Sequence, residues 1–575
     1  MDAANLRAVQ MYELVEVGES GIVGEVIRTR ADLATIQTYE DTVGLKPGDP
    51  VIRTHAPLCL TLGPGLIGSI YDGIQRPLRD IMQSSGIYIG RGQKVPSLSR
   101  DKEWPVRVRV QEAEEVQPGH VVAVIQETPL LEHRIMVPPH FPAGTVVDVK
   151  KDGAYRIGDP IMTLRPRDGT EEREIHLHHS WPVRQARPVI SREDFSKPLL
   201  TGLRVIDTLF PVAMGGCAMI PGGFGTGKTM TQHSLAKWSD ADVIVYVGCG
   251  ERGNEMTQVL TDFPELQDPR TGRPLMERTV LVANTSNMPV AAREVSIYTG
   301  ITLAEYFRDM GYDVAVMADS TSRWAEALRE LSGHLGEMPA EEGFPPYLPA
   351  RLAAFYERAG AVQCLSGRKG SVTIVGAVSP PGGDFAEPVT QHTRRFVRCF
   401  WALNQDLANA RHYPAIHWLE SYSEYVQDVT DWWSEVDRDW DLHRAEAIEL
   451  LQREDRLQQI VKLVGPDVLP DSQRLVLLVG EMFRNGFLQQ NAFSELDMYC
   501  APEKQVVLLR IILDFYHLAR ASIDAGTPLA HIRSLQCVDE ILRAASTIQA
   551  ENMPGFVAIR EHIFEALGPL TKELA

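Results

Sequence analysis

The spacing of apolar positions changes along this chain and divides it into parts of different character. Over residues 11–75, short alternating runs such as Ala34-Thr-Ile-Gln-Thr38 are broken by glycine, as at Gly21-Ile-Val-Gly24. Alternation of period two between turn residues predicts several short strands, and so a small β-barrel over 1–75. Residues 76–110 read as a connecting segment. Short strands return over 111–183, where His120-Val-Val-Ala-Val-Ile125, Gly144-Thr-Val-Val-Asp148 and Pro160-Ile-Met-Thr-Leu164 lie between Pro/Gly turns. They predict a second small β unit inserted in the chain.

From 184 to 420 the pattern changes. Continuous apolar runs, Val243-Ile-Val-Tyr-Val247, Val314-Ala-Val-Met317 and Val372-Thr-Ile-Val375, alternate with longer segments of helical character. Strands that are apolar at every position predict a mostly parallel sheet covered by helices on both faces. From 421 to 575 strand signals fade and apolar residues recur at helical spacing, as at Leu475, Val479, Met482 and Phe483. A helical domain is expected there, completing an α/β multidomain architecture.

The length of 575 residues suits about four domains. Lys and Arg number 57 against 76 Asp and Glu, a net charge of −19, which argues against a nucleic-acid-binding face. The same acidity disfavours non-specific contact with anionic membranes. No run of 18 apolar residues occurs and the start, Met1-Asp-Ala-Ala-Asn5, is not that of a secretory signal. The seven cysteines are far apart and lack a CxxC pair, so they read as reduced thiols and not as a disulfide frame or zinc site.

Against that background one segment carries specific chemistry. Gly222-Gly223-Phe224-Gly225-Thr226-Gly227-Lys228-Thr229 fits G-x-x-x-x-G-K-[ST], between an apolar strand and a helix-like segment. Glycines let backbone N–H groups curl around phosphate oxygens, and the helix start adds its positive end. Lys228 is placed to reach the β- and γ-phosphates, and the Thr229 hydroxyl to ligate Mg²⁺. ATP or ADP with Mg²⁺ is the expected ligand set. Two acids follow at strand ends, where ligands of open α/β sheets bind. Glu251 ends the run from 242 to 247 and is expected to orient the attacking water, with Glu255 four residues on as support. An acidic first turn of a helix explains the same two residues without catalysis. Asp319 ends Val314-Ala-Val-Met-Ala, a Walker-B arrangement that would hold Mg²⁺. Arg323 either pairs structurally or approaches the γ-phosphate.

Taken together with these motifs, longer segments make the chain one that resembles the catalytic A subunit of V-type and archaeal-type rotary ATPases, the alpha chain of bacterial usage. The resemblance runs through Gly63-Pro-Gly-Leu-Ile-Gly68, Trp181-Pro-Val-Arg184, Gly202-Leu-Arg-Val-Ile-Asp207, the phosphate loop, Tyr246-Val-Gly-Cys-Gly-Glu-Arg-Gly-Asn-Glu-Met256, Ala318-Asp-Ser-Thr-Ser-Arg-Trp324 and Ser379-Pro-Pro-Gly-Gly-Asp384. It implies a β-barrel, an inserted bulge domain at 111–183, a RecA-like nucleotide domain and a C-terminal helical bundle. It makes Glu251 the water-positioning base and Arg252 its neighbour on the developing charge, with Lys228 as the third catalytic group. It also puts Tyr413, Phe487 and Phe493 around adenine with Phe224 nearby, although spacing alone reads these aromatics as core. The family usually begins with a further strand, so the barrel is expected to be short of its first strand.

The partners implied are non-catalytic B-type subunits in an alternating A3B3 hexamer, a central rotor stalk, a peripheral stalk and a membrane sector, with no nucleic acid. Residence at the cytoplasmic face of a prokaryotic plasma membrane follows from the same likeness, Thr226 standing where eukaryotic relatives often carry cysteine. Two other readings of the phosphate loop remain at this level: a helicase or secretion ATPase, and a nucleotide-binding subunit without catalysis. Two further features are expected to be bland: His176, His178 and His179 as a solvated strand face, and the stretch 424–456, with eleven acids and four arginines, as a solvated helix surface or a rotor contact.

Overall fold

The computed structural model describes residues 1–86, 90–268, 271–549 and 552–572. Five antiparallel strands form the N-terminal unit: β1 (Asp2–Ala3), β2 (Glu13–Val17), β3 (Ile22–Arg30), β4 (Leu33–Thr38) and β5 (Val51–Pro57), in the order β1-β4-β3-β2-β5. The β4 edge carries a strand of two residues. Asp2 and Ala3 pair with Thr35 and Ala34, and the Met1 ammonium donates to the Ile36 carbonyl at 2.9 Å. Pairing of this kind satisfies backbone groups that an open edge would leave free.

Strands β6 (Cys59–Leu62) and β7 (Ile70–Tyr71) fall inside the span expected for the barrel but belong elsewhere; β7 joins the large sheet below. Helix α1 (Leu78–Ser85) follows. The inserted unit is two four-stranded sheets, built from β8 (Glu103–Val108), β9 (Glu115–Val116), β10 (Val121–Thr128), β11 (Leu131–Met136), β12 (Gly144–Val149), β13 (Gly153–Arg156), β14 (Pro160–Pro166) and β15 (Arg173–His176). It begins at Glu103, not 111. The strand β8 was hidden because only Trp104 and Val106 face inward, between charged residues and a proline.

Next, β16 (His179–Pro182) pairs with β6 and β17 (Val189–Arg192) joins the large sheet. The rest of that sheet is β18 (Cys217–Pro221), β19 (Val243–Glu251), β20 (Thr279–Thr285), β21 (Asp313–Asp319), β22 (Gly360–Cys364), β23 (Lys369–Val378), β24 (Cys399–Phe400) and β25 (Tyr422–Ser423). Its main path runs β25-β24-β18-β23-β21-β19-β20-β7, parallel from β24 to β7. Helices α2 (Lys228–Trp238), α3 (Gly253–Glu265), α4 (Val290–Asp309) and α5 (Thr321–His334) cover it.

Helix α4 is buried at 18 of its 20 positions, including the acids Glu294, Glu305 and Asp309. Each finds a cation from another element: Arg184 reaches Glu294 at 2.7 Å and Glu25 of β3 at 2.8 Å, Arg187 reaches Asp309 at 2.6 Å, and Arg358 pairs with Glu305. A buried charge left alone would cost several kcal/mol, so these pairs anchor the barrel strand β3 and the segment 184–187 to helix α4.

The C-terminal helices are Val426–Val436, Trp440–Val464, Asp471–Met482, Pro502–Asp524, Leu529–Arg533, Gln536–Thr547 and Met553–Lys572. Trp433 and Trp440 are fully buried and stack at 5.1 Å. The acidic stretch is not a uniformly solvated surface. Asp437 and Glu454 are buried against His443 and Arg484, and Asp428 pairs with Arg398 at 2.9 Å. The three histidines are not a solvated face either. His179 is half-buried beside Arg187, while the Nδ1 atoms of His176 and His178 meet the carbonyls of Gly158 and Ile157 at 3.0 and 2.8 Å.

Candidate functional site

The carboxyl ends of the central parallel strands gather the residues of the phosphate loop and the strand-end acids. Pro221 ends β18, the loop Gly222–Gly227 turns over the strand end, and α2 starts at Lys228. Gly225 and Gly227 hold φ of +79° and +89°, which only glycine adopts freely. Gly222 is needed for space: a Cβ there would lie 2.6 Å from the Thr226 Oγ1 and 2.7 Å from the Leu403 Cβ. The Thr226 hydroxyl donates to the Gly223 carbonyl at 2.8 Å and braces the turn.

Lys228 donates from Nζ to the Gly222 and Gly223 carbonyls at 2.7 and 3.0 Å. Burial lowers its pKa, opposed by the charges of Asp319 and Glu251. Asp319 at the end of β21 is buried and accepts on Oδ2 from Thr229 Oγ1 and from Tyr246 OH, both at 3.2 Å. Burial pushes its carboxyl upward, and the two hydroxyl donors resist that shift. Glu251 closes β19, with its carbonyl accepting from the Ser286 N–H at 2.9 Å. Its carboxyl is raised to about 8, first by burial, then by the Asp319 charge and by Glu255. Two acids pushed toward neutrality beside one lysine make a site poised for proton movement and for a polyanion with counter-cations.

The structure sorts the remaining candidates. Arg252 caps α3, and its guanidinium lies 5.0 Å over the ring of the exposed Phe224. Arg323 pairs with Glu326 at 2.8 Å and not with Glu251. The Tyr413 ring lies beside the loop, 3.4 Å from where a Cβ of Gly227 would stand. Phe493 is 89 % exposed on a loop tied to Tyr413 by the Gln490 N–H, 2.8 Å from the Tyr413 carbonyl. Phe487, expected beside adenine, is instead fully buried against Phe483 and presents no face to a base.

Two neighbours of the site escape a reading of the sequence. Tyr246 is inside β19, where a tyrosine reads as core, yet its hydroxyl holds Asp319. Arg293 lies in the first turns of α4, and its Cδ is 2.8 Å from where a Cβ on Gly250 would stand. Its buried Nε has no hydrogen-bond partner among the described residues. The available signal was its position just past the end of β20, where strand ends collect ligands.

Family models match along the chain: the ATP synthase alpha/beta family β-barrel domain over 1–55, the barrel-sandwich domain over 95–184, the nucleotide-binding domain over 202–423, and the C-terminal domain of V and A type ATP synthase over 430–533. The V-type ATP synthase alpha chain of Halothermothrix orenii is 58% identical, over 96% of this chain and 94% of that one. The corresponding A subunit of the A-type ATP synthase of Methanopyrus kandleri is 56% identical over 100% and 97%.

The chain belongs to the V- and A-type ATP synthase alpha-chain family.

With the family come the expected fold classes, nucleotide binding and the ATP hydrolase or synthase activity of a catalytic subunit. The barrel, barrel-sandwich, nucleotide-binding and C-terminal matches follow the order of units in the fold. A solved structure of the assembled ATPase EscN, from the type III secretion system of enteropathogenic E. coli, superposes with TM-score 0.63 over 89% of this chain and 97% of that one. At 22% identity that likeness is one of fold. Among the described residues no helix is long and apolar enough to cross a membrane.

One side chain makes the phosphate-loop helix sensitive to acid. His233 on α2 packs edge-on against Tyr246 and Phe263, and burial lowers its pKa to about 4. The folded state therefore favours the neutral ring. Its contribution is whole above the unfolded value near 6.5 and is lost as pH falls from there through 4. The full span is about 3 kcal/mol on the scale of roughly 1.4 kcal/mol per unit. Replacing His233→Leu should flatten the fall in urea midpoint between pH 7 and 4, whereas an unchanged acid slope would contradict this role.

Proposed function

We propose that this chain is the catalytic subunit in which ATP hydrolysis or synthesis is coupled to proton or sodium transport, working at the cytoplasmic face of a prokaryotic plasma membrane as a peripheral part of a larger complex. The observation that carries the reading is the convergence of Lys228, Thr229, Asp319 and Glu251 on one set of parallel strand ends. In hydrolysis a water oxygen attacks the γ-phosphorus and the bond to the bridging oxygen breaks, ADP leaving with the electron pair. Glu251 orients that water and takes its proton. Lys228 and Arg252 meet the negative charge that spreads over the γ-phosphoryl oxygens, and the loop N–H groups hold the phosphate chain. Synthesis is the same path reversed.

Thr229 and Asp319 suit Mg²⁺, because they offer hard oxygens that already converge at 3.2 Å. The ion supplies neutralisation of phosphate charge. Glu255 supports Glu251 through a carboxyl–carboxylate contact. Tyr413 and the exposed ring of Phe493 are the base-side pair, and Phe224 lies at the outer wall.

Three copies alternating with three B-type subunits, around a central stalk and beside a peripheral stalk, would complete the machine. Among the described residues, Arg252, Arg293 and Arg323 are the arginines this chain brings to the site, and the neighbouring B-type chain is expected to add one. An arginine supplied in trans is worth about 10³–10⁵ in rate in related phosphoryl transfer. Turnover by the isolated chain should therefore rise by at least about 10²-fold on reconstitution with a B-type partner into a hexameric ring. Equal turnover with and without the partner would sink the shared-site reading, and salt-sensitive binding of single-stranded RNA in its place would favour a helicase.

A further inference from the structure

The motif Gly202-Leu-Arg-Val-Ile-Asp207 lies outside the phosphate loop, and the mechanism does not use it. It forms a buried polar junction beneath the loop 489–500 that carries Phe493. Arg204 is fully buried. Its Nε donates to the Phe487 carbonyl at 2.5 Å, one terminal nitrogen to Asp497 Oδ1 at 2.6 Å, and the other to the Gln489 carbonyl at 2.7 Å. The Arg204 backbone N–H donates to Gln490 Oε1 at 3.0 Å, and Gln490 Nε2 returns to the Gly202 carbonyl at 2.7 Å.

These contacts bear on the base side directly. Gln490 ties its own N–H to the Tyr413 carbonyl at 2.8 Å, and Asp497 Oδ2 accepts from the Asn491 N–H at 2.7 Å. Asn491 Oδ1 in turn accepts from the Phe493 N–H at 3.0 Å. A continuous chain of hydrogen bonds thus runs from Arg204 through Asp497 and Asn491 to Phe493, and through Gln490 to Tyr413. The loop is also held from below: buried Lys504 donates to the Leu496 carbonyl at 2.9 Å. Gly202 is forced by the same packing, since φ is +72° and a Cβ would lie 2.1 Å from the Tyr499 ring.

A surface loop with one exposed aromatic normally samples many positions. Here a planar guanidinium with three fixed partners holds it, a geometry that a lysine ammonium does not reproduce.

We propose that Arg204 is a positioning residue for base recognition: through Asp497 and Gln490 it sets Phe493 and Tyr413 at the spacing that accepts a purine ring. The inference rests on the reading of Tyr413 and Phe493 as the base-side pair. Arg204 touches neither substrate nor the reacting atoms, so its effect belongs in KM and in base choice, not in the chemical step.

The test uses the reconstituted complex with ATP and CTP as substrates. Arg204→Lys keeps the buried charge but loses the fork. It should raise KM for ATP by about tenfold, leave kcat within about twofold, and reduce the ATP-over-CTP ratio of kcat/KM by at least about fivefold, the signature of lost uniform binding. Phe493→Ala should do the same, and the double variant should be no worse than Phe493→Ala alone. If Phe493→Ala leaves KM and base choice unchanged, the base-side reading itself fails. If Phe493→Ala has its effect and Arg204→Lys has none, or lowers kcat for both nucleotides equally, the positioning role is overturned. Gln490→Ala, which keeps the buried ion pair, guards against poor assembly of Arg204→Lys; it should raise KM for ATP by about threefold, and an unchanged KM there counts against the proposal.

Discussion

Replacing Glu251→Gln should lower ATP hydrolysis by the assembled complex by about 10²–10⁴-fold, the usual worth of a positioned acid–base group. The amide has nearly the same shape as the carboxylate, so β19, its parallel neighbours and the Ser286 contact should persist. What disappears is the capacity to take a proton. The wild-type carboxyl is suited to that task because burial, Asp319 and Glu255 raise it to about 8, near the range where proton uptake and release are both accessible. Nucleotide affinity should change only a few-fold, because Glu251 does not belong to the phosphate cradle. Single-turnover measurements would separate the two effects. Retained ATP binding with lost turnover is the expected result; unchanged turnover would return the chain to the class of non-catalytic nucleotide-binding subunits.

Lys228→Ala should be nearly as severe, and different in kind. Lys228 is the cation between the loop carbonyls and two acids, Asp319 and Glu251, whose charges act on it. Without it the site faces a polyanion with its carboxylates less compensated. Turnover should fall by about 10³-fold or more, the range for losing a major electrostatic contact, and ATP affinity should fall with it. Lys228→Arg should rescue little. The ammonium donates to two successive carbonyls, Gly222 and Gly223, within a tight turn, and a planar fork does not match that cradle. Calorimetric titration with ATP and steady-state turnover would check both parts. Full activity in Lys228→Arg would show that only charge matters there.

Together the two substitutions divide the site by function. In the proposed mechanism Glu251 acts on the water and Lys228 on the phosphate, and they belong to different βα units of one sheet. The C-terminal helices contribute the third element, the loop bearing Phe493. Arg204 ties that loop to the nucleotide domain, and Lys504 ties it to the C-terminal helices from inside the protein. On the proposed base-side reading, base recognition is thereby joined to the packing of two domains, and a shift of the C-terminal helices would move one wall of the site.

The phosphate loop, the acids at the ends of β19 and β21, and the class of the central sheet are all dictated by the order of amino acids along the chain. The physical reason is locality. A glycine pattern forces its own turn, and a run apolar at every position forces a strand buried on both faces. The helical character of the C-terminal part is equally local, since it is written in the spacing within single segments.

What depends on residues far apart in the chain was settled only when those residues met in the fold. Packing put β7 in the large sheet and β8 in the inserted unit. It sent Phe487 into the core while leaving Phe493 exposed, although both are phenylalanines in one short segment. It paired Arg323 with Glu326, and it brought Tyr246 and Arg293 to the site from a strand interior and a helix start. Above all it joined Arg204 to Asp497 across 293 positions of sequence. A buried guanidinium needs its partners in three dimensions, and no periodicity in either segment states that they will meet.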